Sequence, residues 1–505
     1  MPGSAERPAA VPREAPALTV RHAAVVHPCA RRDEAPLLDA WIRIEGGAVA
    51  ALGPEPWPGT DDGPAIDARR RLVIPGLVNL HHHFTQSITR AMPDGLSCHA
   101  LPWLAAMLPL WREMDGELVR AAVRLSAAEL LLTGATTSVD MPYLFPGGRD
   151  DLLDVEVEAV RGIGLRLHRG RGNTTTLAPP LAEALAVRSG PGAPAVVETE
   201  DAALAATRRA IEAHHDPAPR AMVRVALGPL SVTYDRPSFL SALVRLSEEA
   251  RCGRHTHLTP RPDEVALCER LHGCRPGVFL ERIGWFGEGS FVAHGAMLEA
   301  SDIAVLARTG SGLAHCPHQN MRLGFPAGPL PALLAAGVKV GFGIDGCASN
   351  DSGSMFAELR AAHMIHRLAG VHADYGPERW LAASDVLWMA TRDAAAILGR
   401  DDLGRIAPGA AADLVMIDLD QIAFAGGLHD PLSTLLFAAP GVRADTVIVN
   451  GRVVVSGGRL ASADEAAIVA DAHRAAAGLV ERAERRTGTT WRSLAARLAP
   501  AGHHH

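Results

Sequence analysis

Three consecutive histidines end the most chemically suggestive stretch of the sequence. Residues 72–84 read LVIPGLVNLHHHF, an apolar, β-like run that leads into His81, His82 and His83. Because side chains i and i+2 of a strand point to the same face, His81 and His83 are expected to aim together. Two such imidazoles are half of a divalent metal site, which takes three or four N, O or S ligands. The stretch therefore predicts a metal site, provided that the chain supplies the other ligands.

Two later β-like runs carry residues of the right type. His255 and His257 alternate along one run, and Asp345 ends another. Adding His257 and Asp345 to the first pair gives three imidazoles and one carboxylate, a set suited to one divalent ion, Zn²⁺ first, with Fe²⁺ or Mn²⁺ as alternatives. Such an ion lowers the pKa of a bound water molecule toward neutrality. Asp345 is then placed to act as general acid and base, and His294 to hydrogen-bond the attacking oxygen or to polarise the substrate.

The elements that must position these side chains alternate between β-like and helical stretches. The β-like runs span residues 73–83, 135–140, 165–168, 222–226, 254–258, 290–294, 311–316 and 338–345. Helical patterns fall between them, for example over residues 117–132, 201–214, 238–250 and 355–368. This alternation is typical of parallel strands with crossover helices. Eight such units predict an α/β fold of the TIM (β/α)₈ barrel type rather than an open, doubly wound sheet.

Polar residues stand at or near the ends of these predicted strands. They are His81, His83, Asp140, His168, His255, His257, His294, His315 and Asp345. Any one of them alone is better explained by a structural role, as a hydrogen-bonded core histidine or an aspartate that caps a helix. The carboxyl ends of the strands form the catalytic rim of a (β/α)₈ barrel, so the set as a whole predicts a site at that rim.

The two ends of the chain have a different, β-rich pattern. Residues 17–71 and 405–460 contain short β-like runs, with turn signals at Gly46-Gly47 and Asn450-Gly451. Neither end is long enough to bury its own face, so we predict one small β-sandwich domain built from both, beside a barrel domain over residues 72–404. We further expect a disordered extension over residues 1–16, C-terminal helices over 461–498 and a tail over 499–505 that resembles a purification tag.

Composition narrows the function classes. The chain of 505 residues has 49 lysines and arginines against 56 acidic residues, a net charge of −7, so it lacks the basic field that nucleic acids and anionic membranes attract. It contains no apolar stretch long enough to predict a transmembrane helix. The seven cysteines include no C-x-x-C pair, which predicts reduced thiols and a cytoplasmic location. A small molecule is the expected partner.

The motifs around the candidate residues carry a family resemblance. They are PGLVNLHHH at residues 75–83, HTHL at 255–258, VAH at 292–294, HCP at 315–317 and GIDGCASN at 343–350. Together they resemble the amidohydrolase superfamily, in particular its aminohydrolase and chlorohydrolase branch, and are most similar to 8-oxoguanine deaminases. The resemblance implies that His81, His83, His257 and Asp345 bind one metal ion, that His294 is catalytic, that a β-sandwich flanks the barrel and that the protein is a homo-oligomer.

One position departs from the family pattern. The family carries His-Leu-x-Glu on its fifth strand, and that glutamate moves protons to a ring nitrogen of the substrate, whereas this sequence reads His257-Leu-Thr-Pro260. Loss of a general acid typically removes about 10²–10⁴-fold of the rate. Asp263 and Glu264 are the nearest acids that can compensate, although both would have to reach back about one turn.

The resemblance predicts hydrolytic deamination of an amino-substituted N-heterocycle of the guanine, 8-oxoguanine, pterin or triazine type. The missing glutamate keeps two alternatives open: a metal hydrolase of an amide, cyclic ureide or C–Cl bond, and a non-catalytic binder that retains the barrel. Gln86 and Arg90 follow the first strand and are candidate contacts for a heterocycle edge. Trp103 is a candidate apolar wall, and His318 stands where relatives usually carry a small residue.

Overall fold

The computed structural model describes residues 17–60, 63–188, 190, 192–259, 261–373 and 375–498. The predicted extension over residues 1–16, the position Pro260 and the predicted tail over 499–505 lie outside the described residues. No helix in the part of the chain that is described has the length and apolar character needed to span a lipid bilayer.

The secondary structure alternates between strands and helices along the chain. The strands are β1 (Leu18–Val26), β2 (Leu37–Glu45), β3 (Ala48–Pro54), β4 (Ala65–Asp67), β5 (Arg71–Pro75), β6 (Leu77–Asn79), β7 (His82–His83), β8 (Ala135–Asp140), β9 (Arg166–Asn173), β10 (Val223–Pro229), β11 (Gly253–Leu258), β12 (Ser290–His294), β13 (Gly312–His315), β14 (Val340–Phe342), β15 (Asp345–Gly346), β16 (Leu414–Asp418), β17 (Thr446–Val449), β18 (Arg452–Ser456) and β19 (Arg459–Leu460). The α-helices are α1 (Pro93–Leu96), α2 (Ala100–Trp111), α3 (Gly116–Leu132), α4 (Leu152–Ile163), α5 (Pro179–Val187), α6 (Glu200–His214), α7 (Pro237–Ala250), α8 (Pro262–His272), α9 (Pro276–Arg282), α10 (Ala300–Thr309), α11 (Pro317–Leu323), α12 (Leu330–Ala335), α13 (Met355–Ala373), α14 (Ala383–Trp388), α15 (Ala394–Ile397), α16 (Pro431–Ser433), α17 (Glu465–Thr487) and α18 (Ala495–Leu498).

Eight parallel strands close into a barrel in the order β10-β11-β12-β13-β14-β6-β8-β9. Helices fall between successive barrel strands, as in the βα units of a TIM barrel. Each of the eight predicted β-like runs overlaps one of these barrel strands. The predicted fold class is therefore confirmed.

The predicted first strand over residues 73–83 is wrong in one respect, because it is three short strands rather than one. β5 pairs with β1 and β16, β6 joins the barrel, and β7 pairs with β15. The first break falls at Gly76, where a Cβ atom would lie 2.0 Å from Thr136 Oγ1. At this point the chain passes from one sheet into the other, and a larger residue would clash.

Both chain ends contribute to the second sheet. Its strands follow the order β19-β18-β17-β16-β5-β1-β2-β3, and β4 pairs with β1. The pairing of β16 with β5 joins the C-terminal strands to the N-terminal ones. Buried aliphatic side chains such as Val20, Ile42 and Met416 form a separate apolar core beneath this sheet. A separate sheet made from the two chain ends agrees with the predicted fold class.

The C-terminal helix α17 begins at a well-formed cap. The side chain of Asp464 accepts hydrogen bonds from the backbone N–H groups of Ala466 and Ala467. We expect Asp464→Ala to lower the free energy of unfolding by about 1 kcal/mol, because two backbone N–H groups in the first turn of the helix lose their acceptor. Urea denaturation measures this loss. Glu481→Ala, on an exposed turn of the same helix, is the matched control and should change stability by less than about 0.5 kcal/mol.

Candidate metal centre

Four of the predicted residues come together at the carboxyl end of the barrel. One potential ligand atom from each of His81, His83, His257 and Asp345 lies within 4.8 Å of every other, and we call these four residues the ligand cluster. Asp345 Oδ1 is 3.2 Å from His81 Nε2 and 3.1 Å from His83 Nε2. Ligands at about 2.1 Å from one ion lie roughly 3–4 Å apart, so these separations suit a single metal ion.

Backbone pairing brings the first and last barrel strands to the cluster. His82 and His83 pair in parallel with Asp345 and Gly346, and the backbone N–H of Asp345 donates to the carbonyl of His81 over 3.0 Å. Ser349 Oγ donates to Asp345 Oδ2 over 2.6 Å, which leaves Oδ1 directed at the histidines. The backbone pairing and the hydrogen bond from Ser349 therefore fix the orientation of the Asp345 carboxylate.

Hydrogen bonds outside the cluster fix which imidazole nitrogen faces inward. His83 Nδ1 lies 2.8 Å from the carbonyl of Met141, and His257 Nδ1 lies 2.7 Å from the carbonyl of Leu230. A carbonyl only accepts, so each Nδ1 must carry the proton and each neutral ring turns an Nε2 lone pair to the cluster. These two Nε2 atoms are only 3.3 Å apart.

Two lone pairs at that distance repel each other unless a cation lies between them. His81 Nε2 points to the same place; it is buried and makes no hydrogen bond among the described residues. The donor set therefore fits a bound divalent cation on the evidence of its own geometry. His255 contributes from outside the cluster, since its Nε2 lies 2.7 Å from His81 Nδ1 and orients that ring.

Burial sets the charge of the cluster. It lowers the pKa of His81 and of His257 well below the usual value, so both rings are neutral at neutral pH. A carboxylate with neutral imidazoles is the deprotonated ligand set that a metal ion requires.

His294 stands beside the cluster at the end of β12. Its ring stacks on that of His257, with the ring centroids 5.3 Å apart, and its Nδ1 is buried with no hydrogen-bond partner among the described residues. Burial lowers the pKa of His294 to about 4, so the ring is neutral and can accept or donate one hydrogen bond. His294 and Asp345 both have a positive φ, 73° and 64°, a conformation that is uncommon for non-glycine residues and is enriched at functional sites.

A pocket opens directly onto the cluster. Its lining includes His83, His257, His294 and Asp345, and most of its remaining wall is apolar. The apolar part comes from Ala100, Trp103, Leu104, Leu177, Ala178, Leu181, Leu230, Leu323 and Phe325. A largely apolar pocket with a few convergent polar groups is typical of a small-molecule site.

Two of the four predicted substrate contacts line this pocket. Gln86 and Trp103 do so, and Trp103 Nε1 donates to the carbonyl of Ala348 over 3.0 Å. Arg90 and His318 are not among the described residues that line it. The guanidinium of Arg90 pairs with Glu129, and His318 Nδ1 lies 2.9 Å from Glu358. Both side chains are therefore already paired with acidic residues that lie beside them in the fold.

Tyr143 is a pocket residue that the sequence analysis did not single out. Its hydroxyl accepts a hydrogen bond from Gln86 Nε2 over 3.2 Å, and its ring packs edge-on against His83. The available signal was its place three residues after Asp140, at the end of a predicted strand. Burial raises the pKa of Tyr143, so the phenol stays protonated and can donate to a ligand.

The other strand-end residues have supporting or unrelated positions. Asp140 Oδ1 accepts the backbone N–H of Phe84, next to the cluster, and His315 Nε2 lies 3.0 Å from His366 Nε2. The predicted rim position of His168 is wrong, because β9 continues to Asn173 and leaves His168 near its beginning. There, Nη1 of Arg400 donates to His168 Nε2 over 3.2 Å, far along the strand from the rim.

Comparison with known proteins identifies the family. The model of the amidohydrolase family matches residues 72–454, which include the whole ligand cluster. The chain belongs to the amidohydrolase family. An amidohydrolase-family relative, 8-oxoguanine deaminase from Pseudomonas aeruginosa, is 38% identical over 434 residues, covering 86% of this chain and 93% of the relative. Hydroxydechloroatrazine ethylaminohydrolase from a Pseudomonas species is 34% identical over 453 residues, covering 87% and 90%.

Solved structures of the family agree with the fold. The zinc complex of atrazine chlorohydrolase from Arthrobacter aurescens TC1 has a TM-score of 0.83 and 33% identity, covering 91% of this chain and all of that one. That structure holds zinc. The family and the donor set of the cluster together support a divalent metal as the cofactor of this amidohydrolase.

Proposed function

We propose that this chain is a zinc-dependent aminohydrolase that releases ammonia from an amino-substituted N-heterocycle. The observation that carries the proposal is the ligand cluster at the base of a largely apolar pocket. Two of the relatives are named 8-oxoguanine deaminase and hydroxydechloroatrazine ethylaminohydrolase, which supports an amino-substituted heterocycle as the substrate class. We propose a cytoplasmic location, because the seven cysteines are free thiols. We also propose that the protein is a homo-oligomer, because the family resemblance implies assembly. Light scattering tests the oligomeric state.

The residues of the site have distinct parts in such a reaction. A divalent ion held by His81, His83, His257 and Asp345 supplies Lewis-acid chemistry that lowers the pKa of water. Asp345 takes the proton from the attacking water and passes it to the departing amino nitrogen, which leaves as ammonia. His294 hydrogen-bonds the incoming oxygen and directs it at the ring carbon. The apolar walls, Trp103 among them, exclude bulk water and hold the ring flat.

The proposal is tested by metal analysis and a panel of substrates. Purified protein should contain about one zinc per chain, and it should release ammonia from at least one amino-substituted purine, pterin, pyrimidine or triazine. Release of chloride or of an alkylamine without ammonia would favour the second candidate, a hydrolase of another leaving group. A specific observation supports that candidate: the family's strand-5 glutamate is Pro260 in this sequence, and one structural relative is named a chlorohydrolase.

Pro260→Glu separates the two candidates further. If protonation of a ring nitrogen limits deamination, a carboxylic acid at this position should raise kcat for ammonia release by about tenfold or more, since a general acid contributes roughly 10²–10⁴-fold. Pro260→Gln, of the same size but without an acidic proton, is the matched control and should give no such gain. Equal kcat values for wild type and both variants would show that the reaction does not need an acid here.

A further inference from the structure

A second group of polar side chains lines the pocket apart from the ligand cluster. Arg261 and Glu264 lie at the beginning of α8, and both belong to the lining that also includes His257, His294 and Asp345. Ser231 and Tyr234, which also line the pocket, contact these two side chains. Most of the remaining wall is apolar, with Leu177, Leu181 and Leu230 among its members. A buried polar side chain in a largely apolar pocket must find hydrogen-bond partners, either in the protein or in the ligand.

Glu264 has one carboxyl oxygen without a partner. The residue is only 2% exposed. Its Oε1 is 3.3 Å from Thr233 Oγ1 and 3.4 Å from Ser231 Oγ, both long contacts, whereas Oε2 is buried and has no hydrogen-bond partner among the described residues. A buried acceptor left in this state costs free energy. Burial raises the pKa of Glu264, which the Arg261 charge opposes, but a carboxyl group keeps an acceptor oxygen in both protonation states.

Arg261 supplies donors beside this acceptor. Its Nε donates to Asp263 Oδ1 over 3.0 Å, and its Nη2 is 3.5 Å from Tyr234 Oη. The exposed Asp263 carboxylate therefore anchors the Nε side of the guanidinium. The side chain of Arg261 is 15% exposed, and burial alone would lower its pKa, but the neighbouring Glu264 and Asp263 raise it, so it stays charged. Arginine has donors only, in a planar arrangement that suits a carbonyl or carboxylate oxygen.

We propose that Arg261 and Glu264 bind the lactam edge of the heterocycle, with Glu264 Oε2 accepting from a ring N–H and Arg261 donating to the adjacent ring carbonyl oxygen. The proposal rests on the proposed function and narrows its substrate class to amino heterocycles that also carry an oxo group beside a ring N–H. A ring without this edge would place a nitrogen lone pair against the Glu264 oxygen and would leave the guanidinium unmatched. Sites that hydrogen-bond a substrate group discriminate strongly against analogues that lack it.

Binding of two inert ligands tests the proposal without catalysis. Hypoxanthine has the lactam edge and purine has the same ring without it, and neither carries an exocyclic amine to be removed. By calorimetry on the zinc-loaded protein, hypoxanthine should bind at least tenfold more tightly than purine. Glu264→Met and Arg261→Met should each reduce this preference to less than about threefold, with zinc content unchanged.

The control variants lie on the same helix. Glu269→Met and Arg270→Met remove an acid and a base from exposed positions of α8 and should leave both affinities as in the wild type. Arg261 is the more accessible of the two pocket residues, so Arg261→Met keeps the test decisive if Glu264→Met fails to fold. Equal affinity for the two ligands, no binding of either, or a preference that survives Arg261→Met would overturn the proposal.

The result is separable from the proposed function. A lactam preference that disappears in the variants, in a protein that releases no ammonia from any amino heterocycle, would support the subsite and reject the aminohydrolase. Ammonia release from triazines by a protein that binds hypoxanthine and purine equally well would support the aminohydrolase and reject the subsite.

Discussion

Asp345→Asn is expected to lower kcat by at least about a thousandfold and to reduce bound zinc to well below one per chain. The amide removes the only negative charge of the ligand cluster and the group that moves protons, and loss of a general base alone typically removes about 10²–10⁴-fold of the rate. The partner atoms stay in place, since Ser349 and the two histidines that contact Asp345 are buried. Steady-state kinetics and elemental analysis of the same preparation measure both effects.

Asp401→Asn provides the matched control, because Asp401 is exposed and is neither in the ligand cluster nor among the described residues that line the pocket. This variant should keep wild-type zinc and kcat. Removing the metal from the wild type with a chelator should reproduce the loss of rate, and added zinc should restore it in the wild type but not in Asp345→Asn. A fully active Asp345→Asn enzyme, or a chelated wild type that keeps its rate, would contradict the assignment of the cluster.

Arg166→Met should lower the free energy of unfolding by about 3–5 kcal/mol. Arg166 on barrel strand β9 and Asp413 beside β16 form an ion pair between the barrel and the chain-end sheet, with Nη2 3.0 Å from Oδ1 and side chains that are 0% and 4% exposed. Arg166 also donates to two backbone carbonyls, those of Arg220 and Ala221. Removing the arginine leaves a buried carboxylate without its countercharge, which is the costly way to break such a pair.

Urea denaturation of the zinc-loaded protein measures this loss. The double variant Arg166→Met with Asp413→Leu should recover part of it, because no isolated charge remains. Arg120→Met breaks the exposed pair with Glu158 and serves as the control, with an expected change of less than about 1 kcal/mol. If Arg166→Met changes the free energy of unfolding no more than the control does, the ion pair between Arg166 and Asp413 contributes little to stability.

The barrel and the ligand cluster were largely predictable from sequence for a physical reason. Parallel strands buried on both faces read as short apolar runs, and polar residues at their carboxyl ends stand out against that background. His257, His294 and Asp345 each follow such a run. The ligand set could thus be predicted from residue type and position relative to the predicted strands, without knowledge of any tertiary contact.

The errors arose where tertiary contacts override local pattern. The run from Leu72 to Leu80 is mostly apolar on both sides of Pro75-Gly76, so the local pattern does not show that the strand after this step belongs to a different sheet. Strand β9 extends to Asn173 through Arg169 and Arg171, which look exposed in sequence but are buried and paired with acids distant along the chain, Glu156 and Glu198. The same reason explains why Arg90 and His318 looked like free pocket residues, since Glu129 and Glu358 are also remote in sequence.

The barrel closes beside the ligand cluster through its shortest strand pairing. β14 and β6, the last and first barrel strands, share a single paired position, Phe342 with Asn79, and the short pairing of β15 with β7 continues that contact upward. His81 and His83 belong to one side of this seam and Asp345 to the other. A cation bound by all three side chains would link the two strands across this seam. The ion that takes part in the chemistry would therefore also stabilise the closed barrel.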